Sequence, residues 1–476
     1  MSESSALVEQ LRSYLVTLPP KTRARLVREI EMARLKGQSE PAHAFILQAV
    51  RDVMREEAEA AERTGSPQRL FCEPLEPFLV DEVGESKRRG FIHRGSLDHI
   101  WRWLVRDSDI AADLRARERE ATEALLDGDE HKAAEMSRTM RAEAVPVIEA
   151  ALAETAGDSR SRMKFSVQLG GGRVVEDLED MLAILRQEDK LAKFAARLPD
   201  EIAVLDDELA ASILRRLRDE SKDIVYPLIV VFRRLYQPAG LLRLLTLYER
   251  TDDGKRLVKS RLAPCVDIVT AEMEIVLARL SRTVGRPNAY EAHVQAIRRF
   301  YELANGLGVA VDLDGVPEWR NLLAAQRRRA SEILSSDVQG IPGAVRRALR
   351  PRRREGERRT PPSETAIQEA EYAVRTMMAL KPYRSELAMN ELLGNVISQV
   401  ENYIEVVNGA ILQDLRTATG PDRDIARAEL EAAIRINAIV FGENYAALLR
   451  RSGEVASTRL AQFDEDDTDD LAAPAA

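Results

Sequence analysis

Residues Met389–Ile411 read MNELLGNVISQVENYIEVVNGAI, and their apolar positions decide the fold class. Met389, Leu393, Val396, Val400, Tyr403, Val407 and Ile411 follow one another at steps of four, three, four, three, four and four. Residues three and four apart share a face of a helix, whereas a strand alternates every second residue. The stretch therefore predicts an amphipathic helix with a coiled-coil-like seam. The seam is expected to pack inside the chain as part of a C-terminal antiparallel helical bundle, with a homodimer through 389–411 as the alternative.

The same period extends in both directions. Ser363 is placed to cap the preceding helix, and Gly420-Pro421 turns the chain into a last helix expected over 423–451. Toward the N-terminus, helical patterns cover 109–126 and 129–155 around an Asp127-Gly128 turn. Others follow at 174–187, 200–218, 222–236, 239–250, 264–284, 288–305 and 314–335. Asn288 and Glu291 read as a capping box, and Gly340 and Pro342 as a break. The fold class predicted is all-α: a multi-helix body with short irregular insertions and the C-terminal bundle.

Composition shifts suggest six segments: an N-terminal helical unit over 1–62, an irregular apolar connection over 63–95 and a central multi-helix domain over 96–340. An Arg-rich linker over 341–363, a bundle over 364–453 and an acidic disordered tail over 454–476 complete the chain. In the connection, Pro74 and Pro77 forbid a continuous α-helix, yet Leu70, Phe71, Leu75, Phe78, Leu79 and Val80 call for burial. The stretch Met163–Leu182, which holds the triple glycine Gly170–Gly172, is the place where a β-like or irregular excursion is expected. Ser96 reads as a helix cap.

Hydrophobic residues at 45% and charged residues at 31% exclude wholesale disorder. A net charge of −9 argues against a free-standing nucleic-acid binder. The two cysteines, Cys72 and Cys265, form no CxxC pair, which fits a reducing compartment. The first residues lack the charged and apolar regions of a signal peptide, and the apolar run from Leu228 is too short to span a bilayer, so the expected location is the cytoplasm.

One stretch runs against the overall charge. VRRALRPRRREGERR, Val345–Arg359, holds eight arginines and two glutamates. Arg346, Arg347, Arg350, Arg352, Arg353, Arg354, Arg358 and Arg359 are the candidate anion-binding residues, set against the plain reading of a hydrated hinge. No aromatic is interleaved, so stacking on single-stranded bases is not supported. Asp464–Asp470 carries six carboxylates that could mask the arginines.

Other motifs are weaker. Glu40 and His43 match the Glu-x-x-His of di-iron bundles, but without a second copy they read as a capping carboxylate and a surface histidine. Cys72 with His93, Asp98 and His99 could form a thiolate nucleophile, but Cys72 reads better as a small buried hydrophobe. The triple glycine matches neither nucleotide-binding pattern, though Arg173 beside it could meet an anion. No cofactor, metal site or catalytic residue is assigned. The function expected is a cytosolic, non-catalytic scaffold or adaptor for a protein partner. Recognition of an anionic membrane surface or nucleic acid through 345–359 is the alternative, and an all-helical enzyme with its site on distant helices is the second.

Overall fold

The computed structural model describes residues 30, 46, 66–219, 223–350 and 360–469. These form 18 α-helices, short 3-10 turns and one two-stranded parallel pair, so the all-α expectation holds. Among them no helix is long and apolar enough to cross a membrane. The expected N-terminal unit, with Glu40 and His43, lies outside the described residues apart from 30 and 46. The chain divides into two compact units, Met1–Glu76 with Arg94–Glu188 and Pro77–His93 with Asp189–Ala476. The boundary at Glu188 falls inside the stretch 96–340 that composition grouped together.

The first unit is built from α1 (Pro67–Cys72), α2 (Arg94–Arg106), α3 (Ala111–Asp127), α4 (Glu130–Thr155), α5 (Ser159–Leu169) and α6 (Gly172–Leu185). Ser66 caps α1 by accepting from the Arg69 amide, with Pro67 at the first helical position where its missing N–H is harmless. Gly128 ends α3 with φ of +80°, and Asp129 starts α4 by accepting from the Lys132 amide. Phe71, Leu75, Ile100, Leu104, Leu114, Met140 and Leu178 are buried between the helices. Phe71 meets Trp101 at a ring-centroid distance of 5.2 Å.

Two expectations fail here. The stretch before the triple glycine is not irregular but helical, because Asp158 caps α5 through the Arg160 and Ser161 amides. Gly170 and Gly171, at φ of +95° and +149°, then turn the chain directly into α6. A Cβ on Gly170 would sit 2.7 Å from the His99 imidazole, and with the positive φ this makes any other residue strained at this turn. Ser96 is not a cap but lies inside α2, where its hydroxyl donates to buried Asp177 of α6 at 2.7 Å.

The second unit opens with a strap, residues 77–93. Its ends pair in parallel as β1 (Leu79–Val80) and β2 (Ile92–His93). Phe78, Leu79, Val80, Phe91 and Ile92 are buried. Gly90, at φ of +82°, passes so close to Ile229 that an added Cβ would lie 2.4 Å from its methyl. There follow α7 (Glu188–Ala195), α8 (Asp207–Asp219), α9 (Val225–Arg234), α10 (Gly240–Glu249), α11 (Gly254–Leu257) and α12 (Pro264–Thr283). Then come α13 (Tyr290–Ala310), α14 (Pro317–Ala348), α15 (Glu364–Leu380), α16 (Asn390–Thr417), α17 (Pro421–Val440) and α18 (Glu443–Asp469). The centre is α12, buried at Cys265, Val266, Val269, Met273, Val276 and Leu280 and packed against α9, α10, α13 and α14.

The helix that leads to the arginines runs through the expected break. Gly340 and Pro342 lie inside α14, which spans 32 residues. A proline there removes one helical hydrogen bond at about 3 kcal/mol. Pro342 is buried with Val338, Ile341 and Val345, and that apolar face holds the helix together. Conversely, the helix expected over 423–451 is two, broken at Phe441 and at Gly442, whose φ is +92°. The helix expected from Asn288 begins two residues later: α13 follows a 3-10 turn, Pro287–Ala289, and its N-cap is Ala289. The acidic stretch also departs from expectation, since α18 continues through Asp469.

The seam that opened the sequence reading is buried within the chain. Met389, Leu393, Val396, Val400, Val407 and Ile411 are buried and Tyr403 half-buried, with α16 packed on α14, α17 and α18. The seam is therefore occupied within the chain.

Candidate functional site

Three of the eight candidate arginines lie among the described residues. Arg346 and Arg347 are exposed on the last turn of α14, where cations complement the negative end of the helix dipole. Arg347 pairs with Glu369 at 3.3 Å, a surface contact of small energetic weight. The Arg346 guanidinium stands 5.7 Å over the Tyr403 ring, and exposed Arg350 follows the helix end. The Tyr403 hydroxyl donates to the Leu349 carbonyl, so one tyrosine both caps the helix end and seats the cationic corner. Burial pushes the Tyr403 phenol upward, while Arg346 and Arg350 pull the other way. Arg352, Arg353, Arg354, Arg358 and Arg359 lie outside the described residues.

The thiolate reading fails on electrostatics. Cys72 is buried in the first unit, and desolvation followed by Glu76 pushes its thiol up to about 12. It stays protonated at neutral pH and is no nucleophile. His99 packs on Gly170, and Asp98 accepts from Gln68 at 2.8 Å. His93 belongs to the second unit, as the end of β2. Arg173 stands one residue into α6 and faces Asp177 at 3.9 Å, so its charge is turned to the protein. Among the described residues no group of three His, Cys, Asp or Glu side chains is placed to hold a metal ion.

The charges with the most structure around them carried no sequence signal. In the first unit, buried Arg141 pairs with Glu188 at 2.7 Å and donates to the Leu70 and Phe71 carbonyls. In the second, Arg233 donates to the Pro77 and Leu79 carbonyls of the strap and to Glu272, which also faces Arg299 at 3.8 Å. Burial lowers the Arg299 guanidinium below its ordinary range, and Glu272 opposes that shift. Arg88 of the strap reaches Glu274 at 2.6 Å, while Glu82 and Glu85 pair with Arg282 and Arg329. These groups are partnered with one another, which makes them fasteners of the strap rather than an open site. A depression lined by Leu214, Leu217, Ile224, Tyr248 and Leu262 has room for no more than a water molecule.

A polar cluster gathers where α12, α13, α14 and α15 meet. His293 is buried, with Nδ1 3.3 Å from the Thr283 hydroxyl. That hydroxyl also lies 3.1 Å from the Leu280 carbonyl, and the buried Nε2 has no hydrogen-bond partner among the described residues. Asp337 accepts from the Gly285 amide at 2.8 Å and faces both His293 and Tyr372. Burial lowers the imidazole below its usual value of 6.5, with Asp337 opposing. A folded pKa below the unfolded one means that the unfolded chain takes up the proton first as pH falls. Stability from His293 is thus fully present above pH ~6.5 and is lost as the pH drops toward the folded pKa. His293→Gln is expected to flatten the pH dependence of the urea midpoint below about pH 6.5. An unchanged slope in that window would refute the assignment.

Comparison with protein-family models, curated proteins and solved structures returned no match.

Proposed function

We propose that the chain is a cytosolic helical scaffold or adaptor that binds a protein partner. One observation carries this reading: an apolar strip on the outer side of α18. Ala446, Leu449, Gly453 and Ala456 point into the bundle and are buried. Tyr445, Leu448 and Val455 lie on an adjoining side, and the last two are 60% and 59% exposed. The Phe441 ring lies 4.8 Å from that of Tyr445 and extends the strip. Within α18 the steps of three and seven residues from Tyr445 to Val455 make this a helical seam, and its natural complement is an amphipathic helix of the partner.

The test uses the full chain as bait, with Leu448→Glu/Val455→Glu as the control. The wild type should retain a stoichiometric protein that the double variant loses, while the thermal midpoint of the variant is unchanged because both positions are exposed. Equal retention by the two proteins would remove the strip from the account. A second reading is favoured by the exposed Arg346 and Arg350 at the end of α14. If an anionic surface is the target, retention on heparin or acidic liposomes should vanish with Arg352→Ser/Arg353→Ser/Arg354→Ser and fall steeply with salt.

A further inference from the structure

The fold assembles a surface cluster from three distant parts of the sequence. Tyr236 follows α9, Arg298 and Tyr301 lie on α13, and Tyr383 ends the 3-10 turn Lys381–Tyr383 after α15. The Tyr301 and Tyr383 rings touch, with centroids 4.7 Å apart and planes at 43°. The Arg298 guanidinium lies within electrostatic reach of the Tyr236 and Tyr383 hydroxyls. Tyr236 is 60% exposed and the Arg298 side chain 61%. The carboxylate facing Arg298 is its own helix neighbour Glu302 at 2.9 Å. Lys381 and Arg384 are exposed and, among the described residues, have no ion pair.

We infer that this face docks an acidic peptide segment of a partner protein. The inference rests on the adaptor reading but uses helices other than α18. Glu386 of the same segment is paired with Arg327, and the remaining Arg298, Lys381 and Arg384 against Glu302 leave the face positive in a chain whose net charge is −9. Tyrosine and arginine are the side chains that most often dominate interface energetics. A tyrosine ring adds large contact area while freezing only two torsions. Carboxylates of the segment would meet Arg298, Lys381 and Arg384, and an apolar side chain would lie on the exposed Tyr236 ring.

Single-stranded nucleic acid fits less well. The Tyr301 and Tyr383 rings pack on each other, so no base can insert between them. A long polyanion would also meet the repulsion of the acidic chain.

The experiment is fluorescence anisotropy on the full chain with a labelled hexapeptide of aspartate and glutamate around one phenylalanine. The comparison probes are the same peptide with lysine for the acids, and oligothymidine. The acidic peptide should bind saturably and weaken as salt is added. Arg298→Ala/Lys381→Ala and Tyr236→Ala should each weaken it by about tenfold or more. All three positions are exposed, so these variants keep the fold. Binding no tighter than that of the basic peptide, equal binding by the variants, or preference for oligothymidine would each overturn the inference. Leu448→Glu/Val455→Glu should leave peptide binding intact, so a failed strip and a failed tyrosine face give different results.

Discussion

Arg141→Met is expected to destabilise the first unit by about 3–5 kcal/mol. Arg141 is only 6% exposed, and its guanidinium serves four acceptors. Nε and Nη2 grip the Glu188 carboxylate at 2.9 and 2.7 Å, while Nη1 donates to the carbonyls of Leu70 and Phe71 at 2.9 and 3.4 Å. Those carbonyls lie in the last turn of α1, where a helix runs short of backbone donors, although the Leu70 carbonyl also accepts from the Glu73 amide. Methionine fills the space of the aliphatic stem but supplies no donor. The variant therefore leaves a largely buried carboxylate uncompensated and takes a donor from the Phe71 carbonyl and from the Leu70 carbonyl, which keeps the Glu73 amide. Urea denaturation, followed by hydrogen exchange at α1 and α4, reads the loss. Arg141→Met/Glu188→Leu should recover part of it, because the stranded charge is gone. A loss below about 1 kcal/mol for the single variant would mean that the pair contributes no more than a surface ion pair.

Asn437→Leu should destabilise the C-terminal helices by about 2–3 kcal/mol. Asn408 of α16 and Asn437 of α17 are both buried and exchange amide hydrogen bonds at 2.9 and 3.1 Å. Asn437 also donates to the Ala433 carbonyl at 2.7 Å. Replacing one partner strands the donor and the acceptor of the other. Replacing both with leucine removes the polar groups together, so Asn408→Leu/Asn437→Leu should lie within about 1 kcal/mol of the wild type. The double-mutant cycle is the decisive measurement, and additive losses would show that the two amides do not act as a pair. A polar pair inside an apolar seam also disfavours slipped registers. The double variant is accordingly expected to show multiple methyl resonances where the wild type shows one set.

Much of the helical architecture was legible because its signals are local. The seam from Met389 to Ile411 was readable, as was the Asp127-Gly128 turn, since each depends on residues within a few positions of one another. The misreadings have one cause. Pro342 and Gly340 look like a break, but the buried face of Val338, Ile341 and Val345 outweighs the local penalty. Phe441 and Gly442 look like part of a continuous helix, but Gly442 adopts a left-handed backbone that ends it. Ser96 has the chemistry of a cap, and its partner Asp177 lies 81 residues away.

The candidate sites were less legible than the fold. The arginine cluster was visible because it is contiguous, but Tyr403, which seats Arg346, stands on another helix. The tyrosine face joins residues near 236, 298 and 383, and no window of sequence contains all three. By itself the sequence determined the class of fold, because helical period and apolar content are properties of neighbours along the chain. Only the tertiary structure decided which charges are buried in pairs, which seam is occupied and which aromatic residues share a surface. Those depend on contacts between distant segments, where burial and Coulomb energy override local preference.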